Sequence, residues 1–415
     1  MNSAIAALIG LILAIILIIR KIPPVFALFL GAVAGGLLSG WGMVVTTNEM
    51  IKGVKDITPA IIRILSAGVL TGALVVTGAA ESIASTILRR LGVKQIYLAL
   101  ALSAMLLCAS GVFIDVAVIT IAPIALILGS RSGAPLPKLM IAMIGGGKCG
   151  NIISPNPNTI VSAGGFGVSL QSVIVANLIP ALIGLAVTVF LVIPLIPGAR
   201  KFSAVASAAP SEDKDLPSFW ASVSGPLLAV VLMAFPRIFG SIDPLVALPI
   251  GGLCCLLATG RWRLTLDSLR YGLEKMSPVA VLLVGTGTIA GIIKASAIKD
   301  VLVDTLAGWG AGGELLAPVA GILMCAATAS TTAGATIASG SFAGAITGAG
   351  VSPVSGAALV NASCTVLDHL PHGSFFNATG GCVGMTVAER MKLIPYETLV
   401  GLTLTVCSFL VQHFF

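Results

Sequence analysis

Residues 145–165 read GGGKCGNIISPNPNTIVSAGG, and this stretch decides how the chain folds. It sits within an apolar segment, 137–164, long enough to cross a bilayer, yet it carries a lysine, three asparagines, a threonine and two prolines. Gly145 to Gly147, together with Pro155 and Pro157, are expected to prevent a continuous helix. Backbone N–H and C=O groups are then released at membrane depth, where they must meet partners or face a water-filled cavity. Such a break creates a binding surface. Lys148 supplies a cation, Asn151, Asn156 and Asn158 supply paired donors and acceptors, and Ser154 and Thr159 add hydroxyls. A packing kink whose amides bond to neighbouring helices is the plainer reading, but a kink needs neither a lysine nor three asparagines.

The surrounding chain is built for lipid. Of its 415 residues 57% are hydrophobic and only 9% are charged, against about 25% charged in soluble domains. That excludes a cytosolic enzyme and a secreted module. The formal charge of +7 reports basic loops, and no nucleic-acid partner follows from it. The eight cysteines all lie in apolar stretches without metal-ligand spacing and read as small core residues. Neither a cofactor nor a metal is expected. No G-x-S-x-G, H-E-x-x-H or P-loop sequence supports enzymatic chemistry.

Spanning stretches are expected at 3–19, 22–45, 57–80, 137–164, 172–196, 219–235, 244–259, 277–293, 353–383 and 393–414. The first has Arg20 and Lys21 after it and no basic residue before it, the reverse of a signal peptide, so it should remain as a span with the N-terminus outside. Two further apolar blocks, 96–130 and 315–347, are interrupted by small polar tips at Ser110-Gly111 and at 328–332. Their arms, read as 13 or 14 residues, fall short of the roughly 20 a span needs. They are expected to be re-entrant hairpins. One alternation of sides then puts most of the 23 lysines and arginines inside.

The polar segment 200–217 divides the chain as a cytoplasmic linker. Glycines recur across it: Gly68 and Gly72 precede Gly287 and Gly291 by 219 positions, and Pro155 precedes Pro371 by 216. The fold class expected is an all-α polytopic membrane protein made of two inverted repeats, each with a re-entrant hairpin and a broken transmembrane helix. Residues 1–56 and 218–276 form scaffold helices, 57–199 the first repeat and 277–415 the second. The hairpins lie at 96–130 and 315–347, and the broken helices at 137–164 and 353–383. Inverted repeats with broken helices place a binding site near the midplane in secondary transporters.

The second broken span reads NASCTVLDHLPHGSFFNATGG, 361–381, with Asp368, His369 and His372 beside Pro371 and with Ser374. Ionisable residues inside a membrane suggest an ion pathway or proton relay, and histidine titrates nearest neutrality. Helix packing is the plainer reading of each histidine. Asp115, five residues beyond Ser110, has no acidic neighbour, so it is a proton carrier, the partner of a cation such as Lys148, or a water-exposed group. The second tip offers Ser330, Thr331 and Thr332 and would turn helix N-terminal N–H groups toward an anion. A small-residue run for close helix approach is the alternative.

GVFIDV (111–116), ASTTAGAT (329–336), VLDHLPHGSFF (366–376) and TVAERMKLIPYETLVGL (386–402) resemble the gluconate permease family, and the two-hairpin layout is similar to the ion transporter superfamily. In the first broken span the chain departs from that family's pattern, with SPNPNT at 154–159. The resemblance, covering nearly the whole chain, implies proton-coupled uptake of gluconate or a related sugar or hydroxy acid across a bacterial inner membrane. It also implies an elevator mechanism and a homodimer. By position the resemblance matches Asp115 to the acidic residue of the first hairpin, Ser330 and Thr332 to the second hairpin's hydroxyls, and Asp368 to Ser374 to the polar break of the last repeat. With the residue readings above, Ser110, Gly111, Lys148, Asn151, Ser154, Asn156, Asn158, Thr159, Ser330, Thr331, Thr332 and Ser374 are substrate-binding candidates. Asp115, Asp368, His369 and His372 are the proton-coupling ones. Sodium coupling to a carboxylate and a passive uniporter or channel are the alternatives.

Overall fold

A computed structural model describes residues 3–92, 95–197, 215–234, 242–297, 313–371 and 373–414. The linker up to residue 214, and His372, lie outside the described residues. Among the described residues the chain is helical throughout, with no strand. Large apolar side chains point outward, with Phe190, Leu257 and Trp220 each at least 70% exposed, while the interior is dominated by alanine. Apolar outside and close-packed inside is the arrangement of a chain dissolved in lipid, where small residues let helices approach. Met43–Val76, Leu170–Leu195, Trp262–Ala295 and Val387–Phe414 are each long and apolar enough to cross a membrane.

Two long helices form the centre of a frame. Helices α1 (Ser3–Ile19) and α2 (Pro24–Leu38) lead into α3, Met43–Val76. At 34 residues α3 is about 51 Å long, more than a hydrocarbon core is thick. The polar stretch 46–56 belongs to this helix, where separate spans at 22–45 and 57–80 were expected. Gly40, at φ +82°, ends the preceding turn, and Thr46 and Gly53 are buried along the new helix.

After α4 (Ala79–Leu91), the first hairpin is α5 (Ile96–Ala109) and α6 (Ile114–Ser132). The first broken span is α7 (Leu136–Asn151) and α8 (Pro157–Phe166), followed by α9 (Leu170–Leu195). The second half repeats this order. It runs α10 (Phe219–Ala234), α11 (Pro244–Ala258) and α12 (Thr265–Ala295). The hairpin α13 (Leu316–Thr328) and α14 (Thr331–Gly348) comes next, then the broken span α15 (Pro353–Ser363) and α16 (Ser374–Gly381). Helices α17 (Val387–Met391) and α18 (Ile394–Phe414) close the chain.

α3 and α12 pack antiparallel through glycine. A Cβ on Gly53 would come within 2.0 Å of the Gly287 carbonyl oxygen, and one on Gly272 within 2.1 Å of the Gly68 carbonyl oxygen. Gly53, Pro59, Gly68 and Gly72 precede Gly272, Pro278, Gly287 and Gly291 by the same 219 positions. The contact of Gly53 with Gly287 and Gly291 is therefore the two-fold image of the contact of Gly272 with Gly68 and Gly72. The spacing seen in the sequence is the spacing of a pseudo-two-fold axis.

Two further expectations are corrected. Gly145 to Gly147 do not break a helix, because α7 runs through them to Asn151 and the interruption is confined to 152–156. Those glycines serve packing: a Cβ on Gly146 would lie 2.0 Å from the Ala101 carbonyl oxygen of α5. The hairpin arms are also unequal. α6 has 19 residues and α14 has 18, since α6 continues past Pro123 and Gly129 to the left-handed Gly133.

A polar cavity between two hairpin tips

Proline fixes where the first broken span resumes. Pro157 occupies the first turn of α8, where its missing N–H costs nothing, and Asn156 caps the helix by accepting from Thr159 N at 3.2 Å. The cap is tied back across the break. Asn156 Nδ2 donates to the Asn151 carbonyl at 3.0 Å and also to Asn151 Oδ1. Thr159 Oγ1 lies 3.2 Å from Asn156 Oδ1. Asn361, at the end of α15, joins the two broken spans by accepting from Asn158 Nδ2 at 2.8 Å and donating to the Ile152 carbonyl at 2.9 Å. Backbone groups freed at membrane depth are thus partly satisfied by asparagine amides.

A cavity of about 210 Å³ opens where these breaks meet the two tips. Its wall includes Asp115 on the first tip, Ser330, Thr331 and Thr332 on the second, Asn151 and Asn158 from the first break, and Asp368 and Ser374 from the second. Four helices begin at this wall: α6 at Ile114, α8 at Pro157, α14 at Thr331 and α16 at Ser374. The positive ends of their dipoles make its surroundings favourable to negative charge. The wall follows the pseudo-symmetry, since Asp115 and Thr331, and Asn158 and Ser374, are each 216 positions apart.

From Asp368 on the wall a cluster of buried charge extends inward. Lys148 Nζ is 2.5 Å from Asp368 Oδ1, 2.5 Å from the Thr365 carbonyl and 3.0 Å from His369 Nδ1, so all three of its donors are used. Asp368 Oδ2 accepts from Thr331 Oγ1 at 2.8 Å, which ties the cluster to the second tip. His369 Nε2 lies 3.1 Å from Thr398 Oγ1 and 3.2 Å from the Ile394 carbonyl. Nδ1 also lies 3.1 Å from Asp368 Oδ1, so one side of the ring meets the ammonium–carboxylate pair and the other a hydroxyl and a backbone carbonyl. Glu397 is 3.9 Å from His369 Nδ1 and is held bidentately by Arg390, whose guanidinium also rests on Phe376.

The structure therefore sorts the candidates. Asp115, Asn151, Asn158, Ser330, Thr331, Thr332, Asp368 and Ser374 line the cavity. Lys148, Ser154, Asn156, Thr159 and His369 are buried outside its lining. Ser110 and Gly111 shape the first tip without lining it: Ser110 Oγ donates to the Leu107 carbonyl, and the Gly111 carbonyl accepts from Thr71. Asp115 is not the partner of Lys148, since Asp368 holds that place. It half-faces the cavity and makes no ion pair among the described residues. Sequence reasoning missed Lys275 and Val279, adjacent on one face of α12, and the Arg390–Glu397 pair. The i, i+4 row Tyr271, Lys275, Val279 was the available signal for the first.

A polar cavity enclosed by helix ends, inside an apolar exterior, is the construction of a multi-pass membrane transporter. The chain belongs to the GntP permease family, whose description "GntP family permease" matches residues 3–414. It is 48% identical to an uncharacterized transporter of Haemophilus influenzae over 99% of this chain and 98% of that one. It is 25% identical to the gluconate permease of Zymomonas mobilis, covering 93% and 92% of the two chains. Similarity extends to the D-serine transporter DsdX of Escherichia coli K12, 24% identical over 78% of this chain and 79% of that one. The fold matches the YdaH transporter of Alcanivorax borkumensis with a TM-score of 0.66 at 15% identity, over 89% and 88% of the chains.

Proposed function

We propose that the protein is a secondary active transporter that carries a small hydroxylated organic anion, gluconate or a related sugar or hydroxy acid, together with a proton. The convergence of four helix N-termini on a cavity lined by hydroxyls and amides carries this reading. Helix ends favour a carboxylate, while serine, threonine and asparagine pair in both directions with substrate hydroxyls. Asn151, Asn158, Ser330, Thr331, Thr332 and Ser374 are the substrate contacts in this proposal. Relatives named as gluconate permeases support the substrate class.

Asp115 is the coupling group in this reading. An ionised carboxylate on the cavity wall repels an anion, and its protonation removes that repulsion, so proton and substrate enter together. The cycle is an elevator in which the hairpins and broken helices move against α3 and α12. The protein sits in a bacterial inner membrane as a homodimer with its N-terminus outside. Uptake of labelled D-gluconate into proteoliposomes tests the coupling. Accumulation driven by an imposed pH gradient supports it, accumulation driven by a sodium gradient transfers the coupling to sodium, and equilibration without accumulation makes the protein a uniporter.

A further inference from the structure

The cavity needs a cation for a carboxylate, and Lys148 is already committed to Asp368. Among the described residues, Lys275 is the basic side chain that lines the cavity. It makes no ion pair with any described residue, and its ammonium lies 5.5 Å from the centre of the Tyr271 ring. Tyr271, Lys275 and Val279 are successive on one face of α12, and Lys275 and Val279 both reach the wall.

α12 differs from the rest of the wall. The remaining wall residues stand on hairpin tips and broken helices, whereas α12 is locked along its length to α3 by the glycine contacts at Gly53, Gly68 and Gly72. The pseudo-two-fold axis also gives Lys275 an image on the other long helix. The residue 219 positions earlier is Asp56, and its carboxylate is 2.9 Å from Lys294. Where one end of the frame offers an unpaired ammonium, the image position offers a carboxylate that is already paired.

We propose that Lys275 is the carboxylate anchor of the site, and that it serves the site in only one of its two end positions. This rests on the transport reading above, with tips and broken helices sliding along the frame. In the position seen here the substrate carboxylate meets Lys275. In the opposite position, related by the pseudo-two-fold axis, the same tips face the Asp56–Lys294 pair and the carboxylate finds no free ammonium. Affinity is then higher on the membrane face where α12 begins than on the face where it ends.

The test is sided kinetics. Proteoliposomes sorted for one orientation are assayed for D-gluconate exchange with substrate varied on each face in turn, using wild type, K275Q, K275M and K275R. Loss of one charge-assisted hydrogen bond corresponds to about a tenfold or greater loss of affinity. K275Q and K275M should raise KM about tenfold on the face where α12 begins and leave the opposite KM within twofold, and K275R should recover most of the loss. A lysine that merely packed would change both faces alike or change the amount of folded protein. Equal changes on both faces, or none on either, overturn the anchor while the transport reading stands. A wild-type protein that exchanges no hydroxy acid overturns the transport reading itself, and the anchor with it.

Discussion

Lys148 and Asp368 show how two charges survive at the centre of a membrane protein. Each is almost fully buried, and each has further polar partners: Lys148 the Thr365 carbonyl and His369, Asp368 Thr331 and His369. Removing one partner leaves the other charged and unpaired, which costs about 3–5 kcal/mol. Asp368→Asn should therefore lower the thermal midpoint of the detergent-purified protein, and Lys148→Met should do the same. The double variant should recover much of either loss, because no isolated charge remains. Recovery absent in the double variant would show that the pair does more than balance charge. Asp115 contrasts with this pair, since among the described residues it makes no ion pair and accepts only from the Val116 N–H. Asp115→Asn imitates the protonated carboxyl at every pH, so substrate exchange should persist while accumulation driven by a pH gradient disappears. An Asn variant that still concentrates substrate removes Asp115 from the coupling role.

The helices owe their positions to glycine and proline used in opposite ways. That proline at 157 marks a break was legible in the sequence, and the structure adds that it opens the helix beyond. Glycine was ambiguous. The run at 145–147 permits either a break or a close approach, and the partner carbonyl at Ala101 that decides between them is more than forty residues away. The Lys148–Asp368 pairing was hidden for the same reason, because sequence lists the charges and not their neighbours across 220 positions. Lys275 was hidden by its surroundings: basic residues at 261, 263 and 270 precede it, and the run resembles an interfacial stretch. Packing glycines can be told from neutral ones by substitution. A Cβ at Gly146 collides with α5, whereas Gly344 of α14 has open space around it. Gly146→Ala should destabilise by about 1–3 kcal/mol through overpacking. Gly344→Ala should be neutral or stabilise by up to about 1 kcal/mol, as alanine replaces glycine in a helix. Thermal unfolding of the two variants in one detergent compares them directly.

At the level of the assembled chain, the proposed movement requires that contacts between frame and core be broken and remade in each cycle. Two such contacts are close enough to be fixed covalently. A Cβ on Gly164 of α8 would lie 3.6 Å from the Ala60 Cβ of α3, and one on Gly340 of α14 would lie 3.7 Å from the Ala290 Cβ of α12. Both separations fall in the range of about 3.5–4.5 Å that a disulfide spans. In a background with the eight native cysteines replaced, the pairs Ala60→Cys with Gly164→Cys and Ala290→Cys with Gly340→Cys should each oxidise readily. Each bond joins one long frame helix to one moving element, so either alone should stop exchange of D-gluconate, and reduction should restore it. Binding need not be lost, because neither residue pair includes a cation or carboxylate of the cavity. If both cross-linked forms continue to exchange substrate at the reduced rate, the hairpins and broken helices do not slide along α3 and α12. Alternating access would then have to come from the tips themselves opening around Asp115 and Ser330.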